Sequence, residues 1–160
     1  MRAFPAWLLP AAGCVWVATL VAAPVALQRG VVPLAAVGVY QGASILCHQR
    51  PERSFRIDGV QLPVCGRCLG LYAAAAAGAV ASLFLRGRGA IPRPSLVRIV
   101  LAVAALPIVL SVGLEWMGAI QGSNLGRFAS AVPLGAIAGW LLQRVAAGGQ
   151  SRTPLRSVLA

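Results

Sequence analysis

The feature that most restricts this chain is a recurrence of apolar runs long enough to cross a lipid bilayer. Segments 7–27, 67–85, 97–118 and 127–143 each approach that length; a helix needs roughly 20 residues to traverse about 30 Å of hydrocarbon. Within lipid no water is available to the backbone, so each run must satisfy its own N–H and C=O groups and fold as a helix. A fifth run, 31–46, is short for a crossing and carries Gln41 and Ser44. It reads either as a short tilted span or as a helix lying in the interface. The expected fold class is all-α: an integral membrane bundle of five transmembrane helices, or of four plus one interfacial helix. A single membrane domain over 1–145 then holds a Cys/His loop at 47–66, and a basic tail follows at 146–160.

Composition agrees with lipid as the solvent. The chain is 59% hydrophobic and 11% charged, with a mean hydropathy of +0.81, whereas soluble domains average about 25% charged residues. A net charge of +11 suggests nucleic acid in a soluble protein, but here the fourteen positive residues are all arginine and stand between apolar runs. That placement excludes a nucleic-acid groove and suits anionic headgroups of the bilayer as partners. Cytoplasmic loops collect positive charge. Arg86, Arg88, Arg93 and Arg98, with Arg144, Arg152 and Arg156 of the tail, outnumber Arg50, Arg53, Arg56, Arg67 and Arg127. The expected site is a cell membrane crossed several times, with the tail cytoplasmic and the Cys/His loop extracytoplasmic. The 7–27 run exceeds the usual signal-peptide core of about 7–15 residues, so it reads as a retained span. Cys14 within it is expected to be a small buried apolar residue.

Against this apolar background one segment gathers the reactive side chains. "CHQRPERSFRIDGVQLPVCGRC", residues 47–68, holds three of the four cysteines, the single histidine and two of the three carboxylates. Cys65 and Cys68 form a CxxC pair at the entrance to the 67–85 helix. Two thiols at that spacing reach one metal ion, at about 2.3 Å each for zinc. Equally, thiols at a helix N-terminus are acidified by the helix dipole and become redox nucleophiles, and Arg67 between them pushes the same way. Cys47 precedes the pair at a separation that fits the two halves of a zinc site. Cys47, His48, Cys65 and Cys68 together would saturate a tetrahedral ion. Adjacent residues seldom turn both side chains onto one ion, however, so a three-thiol site with His48 behind it, or with Glu115 or water as the fourth ligand, is a variant. "SFRI" and "VQLPV" flank an Asp58–Gly59 turn and are expected to pair as a small hairpin, tied at its base by the cysteines.

The alternation of spans brings more polar residues to this face. The 67–85 helix leaves it and the 97–118 helix returns, so Glu115, Asn124 and Arg127 arrive beside the cysteines. Glu115 is a candidate functional group by its position near a membrane boundary, with Arg127 its natural ion-pair partner. Asn124 is expected to cap the last helix or to bond into the cluster. Arg50, Arg53 and Arg56 read as solvated charge or as receivers of an acidic group. Gly66, Gly70, Ala74, Gly78 and Ser82, and likewise Ala131, Gly135 and Gly139, repeat every four residues; such smooth faces predict that these two helices are neighbours.

These motifs resemble a family of small prokaryotic membrane proteins known as domain of unknown function 2085. The resemblance rests on "CHQRPERSF", "LPVCGRCLGLY" and "SNLGRF", and so on Cys47, His48, Gln49, Pro51, Arg53, Ser54, Phe55, Pro63, Val64, Cys65, Arg67, Cys68, Gly70, Tyr72, Ser123, Asn124 and Arg127. It covers roughly residues 40–145. An Asp-Gly pair frequent in the family is absent from "LPIVLSVGLEWMG", where only Gly113 is kept. The resemblance supports a helical membrane topology and the importance of the motif residues, and it implies no reaction.

Three functions follow from the residues. The first is a membrane protein with a Cys/His metal site, zinc by ligand type, in a structural or accessory role. The second is a thiol–disulfide oxidoreductase using Cys65 and Cys68 as catalytic residues with a quinone as cofactor, in which Cys14 makes a poor fourth thiol. The third is a transporter or scaffold with a rigid surface loop.

Overall fold

The structure, a computed structural model, describes residues 5–85 and 93–148. Arg86 and Arg88 of the basic loop lie outside the described residues, as do Arg152 and Arg156 and the expected tail from residue 149 on. The described chain runs α1 (Leu8–Gln28), α2 (Pro33–Ser44), a 3-10 turn at Pro51–Arg53, β1 (Ser54–Ile57), β2 (Val60–Cys65), α3 (Gly66–Phe84), α4 (Pro94–Trp116) and α5 (Asn124–Gly148). Among the described residues four helices, α1, α3, α4 and α5, are long and apolar enough to cross a membrane.

Local chemistry sets the ends of these helices. At α1, Gly30 takes a φ of 66°, its N–H donates to the Leu27 carbonyl at 3.2 Å, and Val31 N–H donates to Ala26 at 3.0 Å. At α4, Gly118 does the same at φ 69°, with bonds from Gly118 to Glu115 and from Ala119 to Leu114. Both are Schellman ends, which need the left-handed conformation that glycine adopts without steric cost. Pro94 at the first turn lets α4 begin before residue 97. The last helix runs past residue 143 because Gln143 is buried rather than terminal: its amide donates to the Ala6 carbonyl at 2.6 Å.

The fifth apolar run folds as a helix of only 12 residues. Gln28, at the end of α1, donates from Nε2 to the Asp58 carbonyl at 3.3 Å, and Tyr40 of α2 donates from its hydroxyl to the Gln61 carbonyl. Both ends of α2 therefore stay at the face that carries the hairpin. Leu34, Val37, Ile45 and Leu46 in and beside it are exposed apolar side chains, as expected of a helix lying at a lipid boundary. Among the described residues four helices have the length and composition of a span, and α2, at 12 residues, is shorter than these. Cys14 is exposed on α1 rather than buried, because its side of the helix is turned outward to lipid.

The closest packing is between α3 and α5. A Cβ built on Gly66 would lie 2.7 Å from the Asn124 carbonyl oxygen, and one on Gly78 or Gly139 would strike the backbone of Ala136 or Ala75. Small residues are thus required on both faces, since dispersion at backbone distance holds helices together where lipid supplies no hydrophobic drive. By contrast α4 has one buried residue, Ala104. At the end of the bundle away from the hairpin, a groove of about 380 Å³ separates α4 from α3 and α5, lined by Leu96, Val97, Val100, Gly78, Ala136 and Trp140.

Replacing Gly139 with Val should destabilise the bundle by about 1–3 kcal/mol or more through overpacking. Gly42→Ala in α2, where an added Cβ meets nothing within 4 Å, should change stability by less than about 1 kcal/mol. Thermal unfolding in detergent compares the two.

Candidate metal centre

The hairpin is built around Asp58 and Gly59, both at positive φ (47° and 83°). Positive φ at both central residues is the type I′ geometry that matches strand twist, and it pairs Ile57 with Val60 and, beyond a bulge, Ser54 with Cys65. Cys65 closes β2 and is at once the N-cap of α3, so Cys68 falls in the first helical turn. Cys47 arrives from the other direction, its N–H donating to the Ala43 carbonyl at 2.9 Å. The following residues are clamped onto β2. Gln49, at φ 49°, donates from Nε2 to the carbonyls of Tyr40 at 2.7 Å and Pro63 at 2.8 Å. Gln61 returns a bond from its Nε2 to the Gln49 carbonyl at 2.6 Å.

These clamps bring Cys47, Cys65 and Cys68 together, with all three sulfurs within 4.8 Å of one another. Three thiolates on one tetrahedral zinc at about 2.3 Å each stand roughly 3.8 Å apart, so the triangle needs little contraction to hold an ion. The thiols are free. Leu20, Ala43 and Val64 bury Cys47 on its inner side, and Trp16, Leu69 and Tyr72 pack around them; such an apolar wall limits solvent access to the site. The Cys65 thiol, and then that of Cys68, hydrogen-bond to the Cys47 sulfur and hold its pKa far below the usual thiol range, against the effect of burial. The Cys65 N–H adds a bond to the same sulfur at 3.2 Å.

His48 lies outside the sulfur triangle. Its neighbour Cys47 is buried in the core and His48 is exposed, which is the adjacent-residue conflict made real. His48 does line the same cavity as the three cysteines.

The polar residues expected at this face form a second cluster. Glu115 accepts from Arg67 Nη2 at 2.5 Å and from Arg127 Nη2 at 3.2 Å, with Arg127 Nε also within 3.3 Å of it. Arg67 thus spends its charge on Glu115 and on the Ser111 hydroxyl at 3.0 Å, where the sequence suggested it would act on the thiols. Both arginines pair with the Glu115 carboxylate, which lies outside the group of three sulfurs. Arg127 reaches onward to the Glu52 carbonyl at 3.2 Å and to Asn124 Oδ1 at 3.1 Å. Asn124 Nδ2 donates to the Ser54 carbonyl at 2.9 Å, so it ties the hairpin to α5, while the cap on α5 comes from Ser123, whose Oγ accepts from Gly126 N–H at 3.0 Å. Arg53 lies in the cavity wall beside the sulfurs. Gln49, Ser54 and Ser111 carry structural bonds that sequence reasoning assigned to none of them. An amide or hydroxyl between an apolar run and a Pro is a signal for Gln49 and Ser54, whereas Ser111 looks like any small residue of a span.

Residues 47–141 match the family described as "Predicted membrane protein (DUF2085)". An uncharacterized protein of Methanocaldococcus jannaschii is 30% identical over 90 residues, 56% of this chain and 56% of its own length. An uncharacterized protein of Methanothermobacter thermautotrophicus is 30% identical over 91 residues, 56% of this chain and 78% of its own. The match therefore spans little more than half of the first relative. No solved structure matches the chain.

Glu115→Ala leaves two largely buried guanidiniums unpaired and should cost about 3–5 kcal/mol. Glu115→Asp should recover part of that loss. Unfolding midpoints of the two variants in the same detergent test the pairing.

Proposed function

The chain belongs to the family of predicted membrane proteins designated DUF2085, and from that premise we propose that it is a multi-pass membrane protein whose working centre is a metal ion on Cys47, Cys65 and Cys68. The observation that carries this reading is the convergence of three sulfurs from two separate stretches of chain. Thiolate donors select soft or borderline ions, and zinc, which asks for tetrahedral sulfur and nitrogen ligands, is the ion of choice. His48 stands near as an outer group. Arg67, Glu115, Asn124 and Arg127 hold the helices and hairpin that present the sulfurs, and Arg53 lines the approach. The metal's role on this reading is structural or accessory. A two-stranded hairpin is marginal in water, and an ion at its base fixes it against α2 and α3.

We further place the hairpin outside the cell and the 86–98 loop with the tail in the cytoplasm, because Arg86, Arg88, Arg93, Arg98, Arg144, Arg152 and Arg156 outnumber Arg50, Arg53, Arg56, Arg67 and Arg127. Free thiols in an oxidising compartment tend to pair, and a bound metal protects them from that fate.

Protein purified without chelator should carry about one zinc per chain, lost in Cys65→Ser and in Cys68→Ser. Metal-free protein whose Cys65 and Cys68 cycle between thiols and a disulfide would support the oxidoreductase instead. For the orientation, Arg56→Cys should react with a membrane-impermeant maleimide on intact cells; labelling only after lysis reverses the assignment.

A further inference from the structure

We propose that the sulfur triangle opens onto a binding pocket for a phosphate group, either free phosphate or the headgroup of an anionic lipid. This rests on the metal reading above and deepens it. A cavity of about 290 Å³ is lined by the three cysteines together with His48, Arg50, Arg53, Arg67 and Trp116. Three thiolates leave one position of a tetrahedral ion to a non-protein donor, the arrangement of zinc sites that bind small ligands rather than only hold a fold. Glu115, the carboxylate best placed to fill that position, is taken by Arg67 and Arg127.

The charge around the cavity selects the ligand. Among the described residues no carboxylate lines it, and neither the Arg50 nor the Arg53 guanidinium is held by a protein hydrogen bond. Arg67 has its Nη2 committed but its Nε is buried without a partner. Guanidinium forks match phosphate oxygens in pairs. A divalent ion on three thiolates carries −1 and the two uncommitted arginines bring +2, so the cavity is left with a net positive charge that takes an anion. A phosphate group has oxygens for the ion and for both guanidiniums, whereas the two oxygens of a carboxylate leave one guanidinium unmatched. An oxygen of the same group is a competent fourth donor to zinc. The mouth lies at the level where lipid headgroups sit: Trp116 is 88% exposed at the end of α4 and Leu46 66% exposed beside α2, the belt position of side chains that straddle the interface.

The test uses the full chain in a maltoside detergent, which brings no phosphate of its own, with cobalt(II) substituted at the metal site. Thiolate-to-cobalt absorption reports the metal, and the ligand-field bands report the fourth position. Titration with inorganic phosphate, and separately with short-chain phosphatidic acid in mixed micelles, should shift the bands saturably. A response to the first identifies free phosphate; a response to the second alone identifies a lipid headgroup. In the Arg50→Ala/Arg53→Ala variant the affinity should fall by about tenfold or more, while Arg56→Ala, which removes the same kind of charge away from the cavity, should leave it within about twofold. Cobalt bound with bands that neither ligand moves, or that move equally in the double variant, overturns the pocket and leaves the metal centre standing; bands that change in His48→Ala but ignore phosphate put His48 in the fourth position and do the same. Absence of thiolate-to-cobalt absorption removes the metal reading and the pocket with it.

Discussion

The sulfur-bearing end of the bundle depends on how one carboxylate is neutralised. Glu115 stands at the last turn of a helix that otherwise faces lipid, where an unpaired charge is strongly disfavoured. Arg67 meets it from the first turn of α3 and Arg127 from the first turn of α5. A single anion therefore fixes three helix ends to one point. The hairpin hangs from the same point, because Arg127 also holds the Glu52 carbonyl and Asn124, which holds Ser54. Arg67 sits between Cys65 and Cys68 in sequence, so the ionic cluster and the sulfur triangle share a turn of helix and are positioned together.

This sharing separates two roles that the motif residues carry. The guanidinium of Arg67 points to the ion cluster and its two flanking thiols to Cys47, as successive positions of a helical turn fan around the axis. Among the described residues Arg50 and Arg53 form no ion pair, Glu115 being shared by Arg67 and Arg127. A chain with fourteen arginines and three acidic residues has positive charge in surplus everywhere. What is scarce is the carboxylate, and its placement decides which arginines are structural and which stay available.

Much of this was legible in the sequence where one local rule governed the outcome. Asp58–Gly59 between two β-patterned runs signalled a tight hairpin turn, and the four-residue repeat of glycine and alanine marked the contact between α3 and α5. The pairing of Glu115 with Arg127 followed from counting spans. Other outcomes turned on competition between distant groups. The bonds that tie Gln28 and Tyr40 to the hairpin are contacts that no window of hydropathy contains. The cap on α5 went to Ser123 because Asn124 had a better partner in β1. His48 was displaced from the triangle by the burial of its own neighbour, a choice between two adjacent side chains that composition leaves open.

The helix that delivers Glu115 is held by ions at that end and packs against α5. Its outward residues, Ile99, Val103, Leu106 and Val109 among them, are exposed, and at the far leaflet the groove beneath Trp140 keeps it apart from its neighbours. An unfilled apolar gap forfeits dispersion on both walls, so in a bilayer acyl chains complete this corner of the fold. One end of α4 thus closes on ions beside the sulfurs, and the other stands beside an apolar groove of the kind that lipid tails fill.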